Sequence, residues 1–168
     1  FLPLGIKSSL CQLQYERLKK VSLCCEIEFL PTLDNSTLAQ FNLIIDGIFG
    51  IGFKGQLADE LKSLIALLNQ SCATKIACDI PSGIDKSGNP CILDDKAFAF
   101  TADFTLTMGA LKTALFSDFA KDFVGEIHCI VLGISQHIFC TDSSFRLFES
   151  QDFHAPKRNL IICNTVFF

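Results

Sequence analysis

Three short segments of the chain follow one plan, in which an apolar, strand-like run leads straight into an acid or a group of small residues. They are Phe41-Asn42-Leu43-Ile44-Ile45-Asp46-Gly47-Ile48-Phe49-Gly50, Lys75-Ile76-Ala77-Cys78-Asp79-Ile80-Pro81-Ser82-Gly83 and Asp103-Phe104-Thr105-Leu106-Thr107-Met108-Gly109-Ala110. The Leu43-Ile44-Ile45 run is apolar on both faces, as strands inside parallel sheets are. In parallel α/β proteins, ligands bind in the crevice outside the carboxyl ends of the strands. Two acids and a cluster of glycines are therefore expected at the edge where a site would form.

The rest of the chain alternates strand and helix patterns. Residues 1–4 suit a short strand end. Residues 8–21 read as a helix with Leu10, Leu13, Leu18 and Val21 on one face, and Ser9 with Gln12 suggests a capping box. Residues 25–30 read as a short strand closed by Pro31, and residues 37–40 as one helical turn. Strand 41–46 precedes the clearest helix, 56–69, where Leu57, Leu61, Leu64, Ile65 and Leu68 form one stripe. Strands follow at 73–79, 102–108 and 126–132, with a turn-rich stretch at 81–90. This alternation predicts a mostly parallel sheet flanked by helices. Residues 1–135 are expected to form the folded domain and residues 136–168 a connector, with an unassigned apolar tail at 159–168.

Composition narrows the function classes. At 168 residues the chain is about one domain, and a net charge of −4 with no basic stripe argues against nucleic-acid or polybasic membrane binding. The most apolar stretches are interrupted by Asp103, Lys112, His128 and Gln136, so no run of about 20 apolar residues suits a membrane span. The amino end lacks a signal-peptide pattern. Nine cysteines, an odd number with no Cys-x-x-Cys pair, suggest free thiols in a reducing cytoplasm.

Asp46 ends a buried strand and is followed by Gly47, Gly50, Gly52 and Gly55. A carboxylate there needs a partner, because desolvating an unpaired charge is unfavourable. A bound cation or ligand would supply one; a cap on a nearby loop is the structural alternative. The glycines let backbone amides approach an anion closely, and the helix expected from Gln56 onward would favour phosphate at its amino end. The spacing is neither the dinucleotide G-x-G-x-x-G pattern nor a P-loop. In Asp79-Ile80-Pro81-Ser82-Gly83, Pro81 fixes a turn and Asp79 shares an edge with Asp46, so one acid could transfer protons while the other holds a cation. An ordinary turn with an Asp cap is the alternative. Lys112 and Lys54 suit either a phosphate or solvent, and His128 reads as a packed histidine rather than a ligand. Gly-x-Ser-x-Gly and a Ser-His-Asp arrangement are absent.

The two acidic motifs, Asp46-Gly47-Ile48-Phe49-Gly50-Ile51-Gly52-Phe53-Lys54-Gly55 and Asp79-Ile80-Pro81-Ser82-Gly83-Ile84-Asp85, together with their spacing, strongly resemble the NAD(P)H-hydrate epimerases, the YjeF N-terminal domain family. The segments at 102–107 and Gly109-Ala110-Leu111-Lys112 are similar to that family's later strand and its Gly-Ala-Pro-Lys stretch. The resemblance covers about residues 1–135. It implies a Rossmann-like three-layer α/β/α fold, usually a homodimer, that interconverts the R and S epimers of the hydrated cofactors NADHX and NADPHX in metabolite repair. It implies a potassium ion held by Asp46 and Ser82. Substrate contacts would come from Gly50, Ile51, Gly52, Phe53, Lys54, Gly55, Gln56 and Asp79, with Lys112 in support and Asp79 as acid/base. The family's Gly-Asn-Asn-Gly-Gly-Asp-Gly loop does not occur here, and Leu111 stands in place of a proline. The expectation is therefore a piece of a bifunctional repair enzyme, lacking the first strand and leading toward a dehydratase domain. The missing loop argues against activity of the piece alone. A non-catalytic nucleotide-binding or scaffold module on the same fold is the alternative.

Overall fold

The computed structural model describes residues 5–6 and 8–133. Numbered in chain order, four parallel strands form the main sheet: β1 (Leu43–Asp46), β2 (Thr74–Cys78), β5 (Phe104–Met108) and β6 (Glu126–Ile130), hydrogen-bonded in the order β1-β2-β5-β6. A separate antiparallel hairpin, β3 (Cys91–Leu93) with β4 (Lys96–Phe98), lies between β2 and β5 in the chain. The helices are α1 (Ser9–Val21), α2 (Asn35–Leu38), α3 (Asp59–Asn69) and α4 (Lys121–Val124), with a 3₁₀ turn at Thr113–Phe116. A parallel sheet with flanking helices is the Rossmann-like α/β arrangement that the alternation predicts.

Register decides what each face does. Asp46 pairs with Ala77 and Ala77 with Thr105, so their side chains share one face. That face is buried: Ile44, Asp46, Ala77, Thr105 and Thr107 are all covered. Leu61, Ile65 and Leu68 of α3 join Ile44 and Ala77 in one core cluster, placing the apolar stripe of this helix where its periodicity demands. A second cluster, including Ile80, Ile84, Leu115 and Val124, packs around the segments that follow the strand ends. On the opposite face, Leu43, Ile45, Met108 and Ile130 remain 41–61% exposed.

Several expectations need correction. Residues 25–30 form no strand; the segment is irregular and makes only a local turn bond, from the Ile27 amide to the Cys25 carbonyl. Its apolar content alone gave no ladder partner among the described residues. Helix α3 starts at Asp59, not at Gln56, because Leu57 turns into the core and Ala58 is extended (φ −63°, ψ 153°). The cap of α1 is Ser8, whose hydroxyl accepts from the Cys11 amide, rather than Ser9. The single turn expected at 37–40 is α2, two residues earlier, where Asp34 caps the Thr37 amide. Strand β2 stops at Cys78 because Asp79 adopts a left-handed backbone (φ 72°). The hairpin was not expected, since its two-residue turn is Asp94-Asp95, both at positive φ, in place of the usual Asn-Gly or Asp-Gly. The expected strand end at 1–4 and the connector and tail at 136–168 lie outside the described residues. Among the described residues no helix is long and apolar enough to cross a membrane, and seven cysteines are free thiols.

Candidate functional site

The sheet delivers the two acids to neighbouring strand ends. Asp46, the last residue of β1, is only 2% exposed. Its Oδ2 accepts from the Ser82 amide at 2.8 Å, and its Oδ1 accepts from the Ser82 hydroxyl at 2.7 Å and the Ile48 amide at 3.1 Å. Ser82 Oγ in turn accepts from the Phe49 amide at 3.1 Å. Burial pushes the Asp46 carboxyl upward, and the Ser82 and Ile48 donors only partly oppose it. No cationic side chain pairs with it among the described residues. A cavity of about 300 Å³, lined mainly by apolar residues including Leu33, Leu38, Ile48 and Leu68, opens beside Asp46.

Asp79 sits one strand over and spans the mouth of the sheet. Its Oδ2 accepts from the Ile51 amide at 3.1 Å, which ties it to the glycine loop after β1. Its Oδ1 meets the Lys112 ammonium at 2.6 Å and the Met108 amide at 3.4 Å, which ties it to the end of β5. Burial raises this carboxyl, but the Lys112 ammonium and the Ile51 and Met108 amides outweigh burial and hold it below the usual carboxylate range. The thiol of Cys78, the residue before Asp79, is pushed up by burial and by the Asp46 and Asp79 charges.

Gly50 is where this arrangement is tightest. A Cβ built on it would lie 2.9 Å from Asp79 Oδ2. That carboxylate is pinned from three sides, so it cannot yield without losing a partner. Gly50→Ala is therefore expected to displace the Asp79 carboxylate and to lower the melting temperature modestly, by the equivalent of about 1–2 kcal/mol for one charge-assisted bond. Reactions that depend on Asp79 should slow by roughly 10–100-fold, since a shift of about 1 Å in a catalytic group has effects of that order; calorimetry and rate measurement on one preparation would check both halves.

The structure brings together Gly50, Ile51, Asp79 and Lys112 in one cluster, and Asp46 with Ser82 in another. The remaining loop residues separate from them. Phe53 is buried and its ring packs on Phe49 at 4.9 Å, so its side chain serves the core. Gly52, Lys54 and Gln56 line a different cavity of about 400 Å³ with Phe49, Leu57 and Leu61. Gln56 accepts from the Ile92 amide at 3.3 Å and Gly55 offers its carbonyl to the Cys91 thiol at 3.7 Å, so both hold the hairpin. His128 is not packed: it is half-exposed and 3.0 Å from Glu126. The sequence reading missed Met108, whose amide faces Asp79 and whose carbonyl accepts from Lys112. Both are backbone groups, which the residue type does not mark.

Acids from adjacent parallel strands, set at the carboxyl edge beside a glycine loop, define a Rossmann-like α/β ligand-binding domain. The family model described as YjeF-related protein N-terminus matches residues 1–114. The chain belongs to that family. It is 40% identical over 153 residues to the bifunctional NAD(P)H-hydrate repair enzyme Nnr of Helicobacter pylori, covering 91% of this chain and 31% of that protein. It is 37% identical over 109 residues to the NAD(P)H-hydrate epimerase of Elusimicrobium minutum, covering 65% and 46% of the two chains. A second bifunctional enzyme, from Dictyoglomus turgidum, is 40% identical over 101 residues, covering 60% of this chain and 19% of that protein. The chain thus spans less than half the length of each of these relatives.

Proposed function

We propose that this chain is an epimerase unit that interconverts the R and S forms of NADHX and NADPHX. The observation that carries the reading is Asp79, a fixed carboxylate at the mouth of the sheet, braced by the glycine loop on one side and Lys112 on the other. In NADHX the epimerised carbon bears a hydroxyl beside the ring nitrogen. Loss of that hydroxyl as water leaves a cationic ring, and water returning to the other face gives the opposite epimer. An ionised carboxylate stabilises the cationic ring and accepts the proton that the returning water releases. The departing hydroxyl takes its proton from solvent, and Asp79 passes the proton it accepts back to solvent, so the cycle consumes no net proton. The depressed Asp79 carboxyl suits the charge-stabilising and base roles directly at neutral pH.

The names of the relatives support this reading, and two of them support a fused dehydratase partner in the bifunctional protein. A homodimer and a cytoplasmic location are part of the same proposal. The direct test is conversion of purified R-NADHX to S-NADHX by the chain, followed by chiral separation. A rate equal to that of buffer alone, both for the chain and for the chain fused behind a segment that carries Gly-Asn-Asn-Gly-Gly-Asp-Gly, would favour the scaffold reading.

Asp46 and Ser82 fit a potassium ion. Both present hard oxygen donors, and Asp46 is a buried carboxylate with no cationic side chain paired to it among the described residues. A bound monovalent cation would supply positive charge next to Asp46. The sign of the pH effect follows from the raised Asp46 carboxyl: without a cation, it favours the fold below the ordinary carboxylate pH and disfavours it as pH rises through the raised value. Potassium is therefore expected to raise the melting temperature over choline at equal ionic strength, and to do so more at about pH 8 than at about pH 5. Equal melting temperatures in the two salts at both pH values would count against the ion.

A further inference from the structure

The sequence suggests that Lys112 meets a substrate phosphate, but the geometry points to a different task. Its ammonium lies 2.6 Å from Asp79 Oδ1 and also donates to the Met108 carbonyl, with both side chains of the ion pair under 20% exposed. The backbone that carries it is fixed. Lys112 opens the 3₁₀ turn Thr113–Phe116, its carbonyl accepts from the Leu115 amide at 3.0 Å, and Ala114 and Leu115 are buried in the second core cluster. A flexible lysine reaching for a ligand needs no such anchor; a lysine that sets the position of another group does.

Asp79 needs setting, because three separate segments meet on it. Its backbone is left-handed, its Oδ2 takes the Ile51 amide from the loop after β1, and its Oδ1 faces the end of β5. Other titratable groups near the pair are Cys78 on β2 and Asp46 on β1; the Gly50–Ile51 loop contributes an amide and β5 the Met108 amide and carbonyl. Lys112 is the one cation paired with this carboxylate among the described residues.

We propose that Lys112 is a positioning residue, which holds the Asp79 carboxylate in place across Gly50 and between the glycine loop and the end of β5. The inference rests on the epimerase reading for its kinetic consequence and on the ion pair alone for its structural one. In Lys112→Met the epimerisation kcat should fall by about 10–100-fold with KM within about threefold, because the reacting group moves while substrate binding is retained. The acid limb of the pH–rate profile should move up, since a neighbouring cation holds a carboxylate down. Lys112→Arg should recover part of both. If Lys112→Met does not fold, Lys112→Gln takes its place.

A second readout needs no turnover. Carbon-13 NMR of the labelled chain follows the Asp79 carboxyl during a pH titration, and its midpoint should rise in Lys112→Met. A wild-type chain inert toward NADHX, with that midpoint still shifted, sinks the epimerase reading and leaves the ion pair standing. An active wild type whose Lys112→Met variant raises KM alone, with the acid limb and the NMR midpoint unmoved, makes Lys112 a substrate contact and overturns the proposal.

Discussion

Asp79→Asn is expected to slow epimerisation of NADHX by about 10²–10⁴-fold, the range for losing a positioned acid/base group. The substitution is chosen for the backbone as much as for the charge. Asp79 sits at φ 72°, a conformation that asparagine tolerates better than most residues, so the strand end keeps its shape. Asparagine also keeps one oxygen for the Ile51 amide. What it removes is the negative charge opposite Lys112 and the site for the proton. The melting temperature should fall only modestly, by the equivalent of about 1–2 kcal/mol for a lost charge-assisted bond. The sign of the wild-type pH dependence follows from the depressed carboxyl: the ionised form, and the stability it contributes, is present above the ordinary carboxylate value and lost only as pH falls through the lowered one. The wild-type rate should therefore hold through neutral and mildly acidic pH, while Asp79→Asn should lack that acid limb. An unchanged rate in Asp79→Asn would remove Asp79 from the reaction.

The parts of this site that could be read from the sequence are those written in residue type. Asp46, Asp79 and Ser82 each follow an apolar strand run, and a parallel sheet brings successive strand ends to one edge. The alternation of strand and helix likewise reads as a mostly parallel sheet, while the strand order β1-β2-β5-β6 comes from the structure. What was hidden depended on backbone geometry. Asp79 looked like the last residue of a strand, and its left-handed turn, which aims the carboxylate over Gly50, is not marked by a glycine or asparagine. The loop from Gly50 to Gln56 read as one ligand surface, yet Phe53 faces the core and Gln56 holds the hairpin. Lys112 looked free because its partners, Asp79 and a Met108 carbonyl, are 33 and 4 positions away, and nothing local signals either bond.

Gly125→Ala is expected to be the most destabilising single substitution proposed for this chain, and for a reason separate from chemistry. Gly125 joins α4 to β6 at φ 55°, ψ −146°, a region essentially reserved for glycine. A Cβ there would lie 2.2 Å from the Asp103 carbonyl oxygen and 2.6 Å from that of Ala102, both backbone atoms. Neither can retreat. The Asp103 carbonyl accepts from the Glu126 amide, the Asp103 amide donates to Lys75, the Asp103 carboxylate accepts from the Lys75 amide, and the Ala102 amide donates to Phe123. Relief of the clash would break the junction where β5 and β6 begin. Left-handed strain of about 1–3 kcal/mol adds to that loss, and the sum is a large fraction of the roughly 5–15 kcal/mol that holds a domain folded. Gly133→Ala is the control: it shares a positive φ (74°), but a Cβ there would meet no atom of the described residues within 4 Å. Urea unfolding should show a midpoint drop for Gly125→Ala several times that for Gly133→Ala; equal drops would mean that the junction yields more easily than its hydrogen bonds suggest. The contrast with Gly50 is the useful one. Both glycines are demanded by a close approach, but at Gly50 the approaching atom is a carboxylate oxygen and at Gly125 it is the backbone itself. Alanine at the first should therefore act mainly on rate, with a stability loss no larger than that of Asp79→Asn. Alanine at the second should loosen the β5–β6 pairing from its start, and with it the strand whose far end, Met108, supports Asp79 and Lys112.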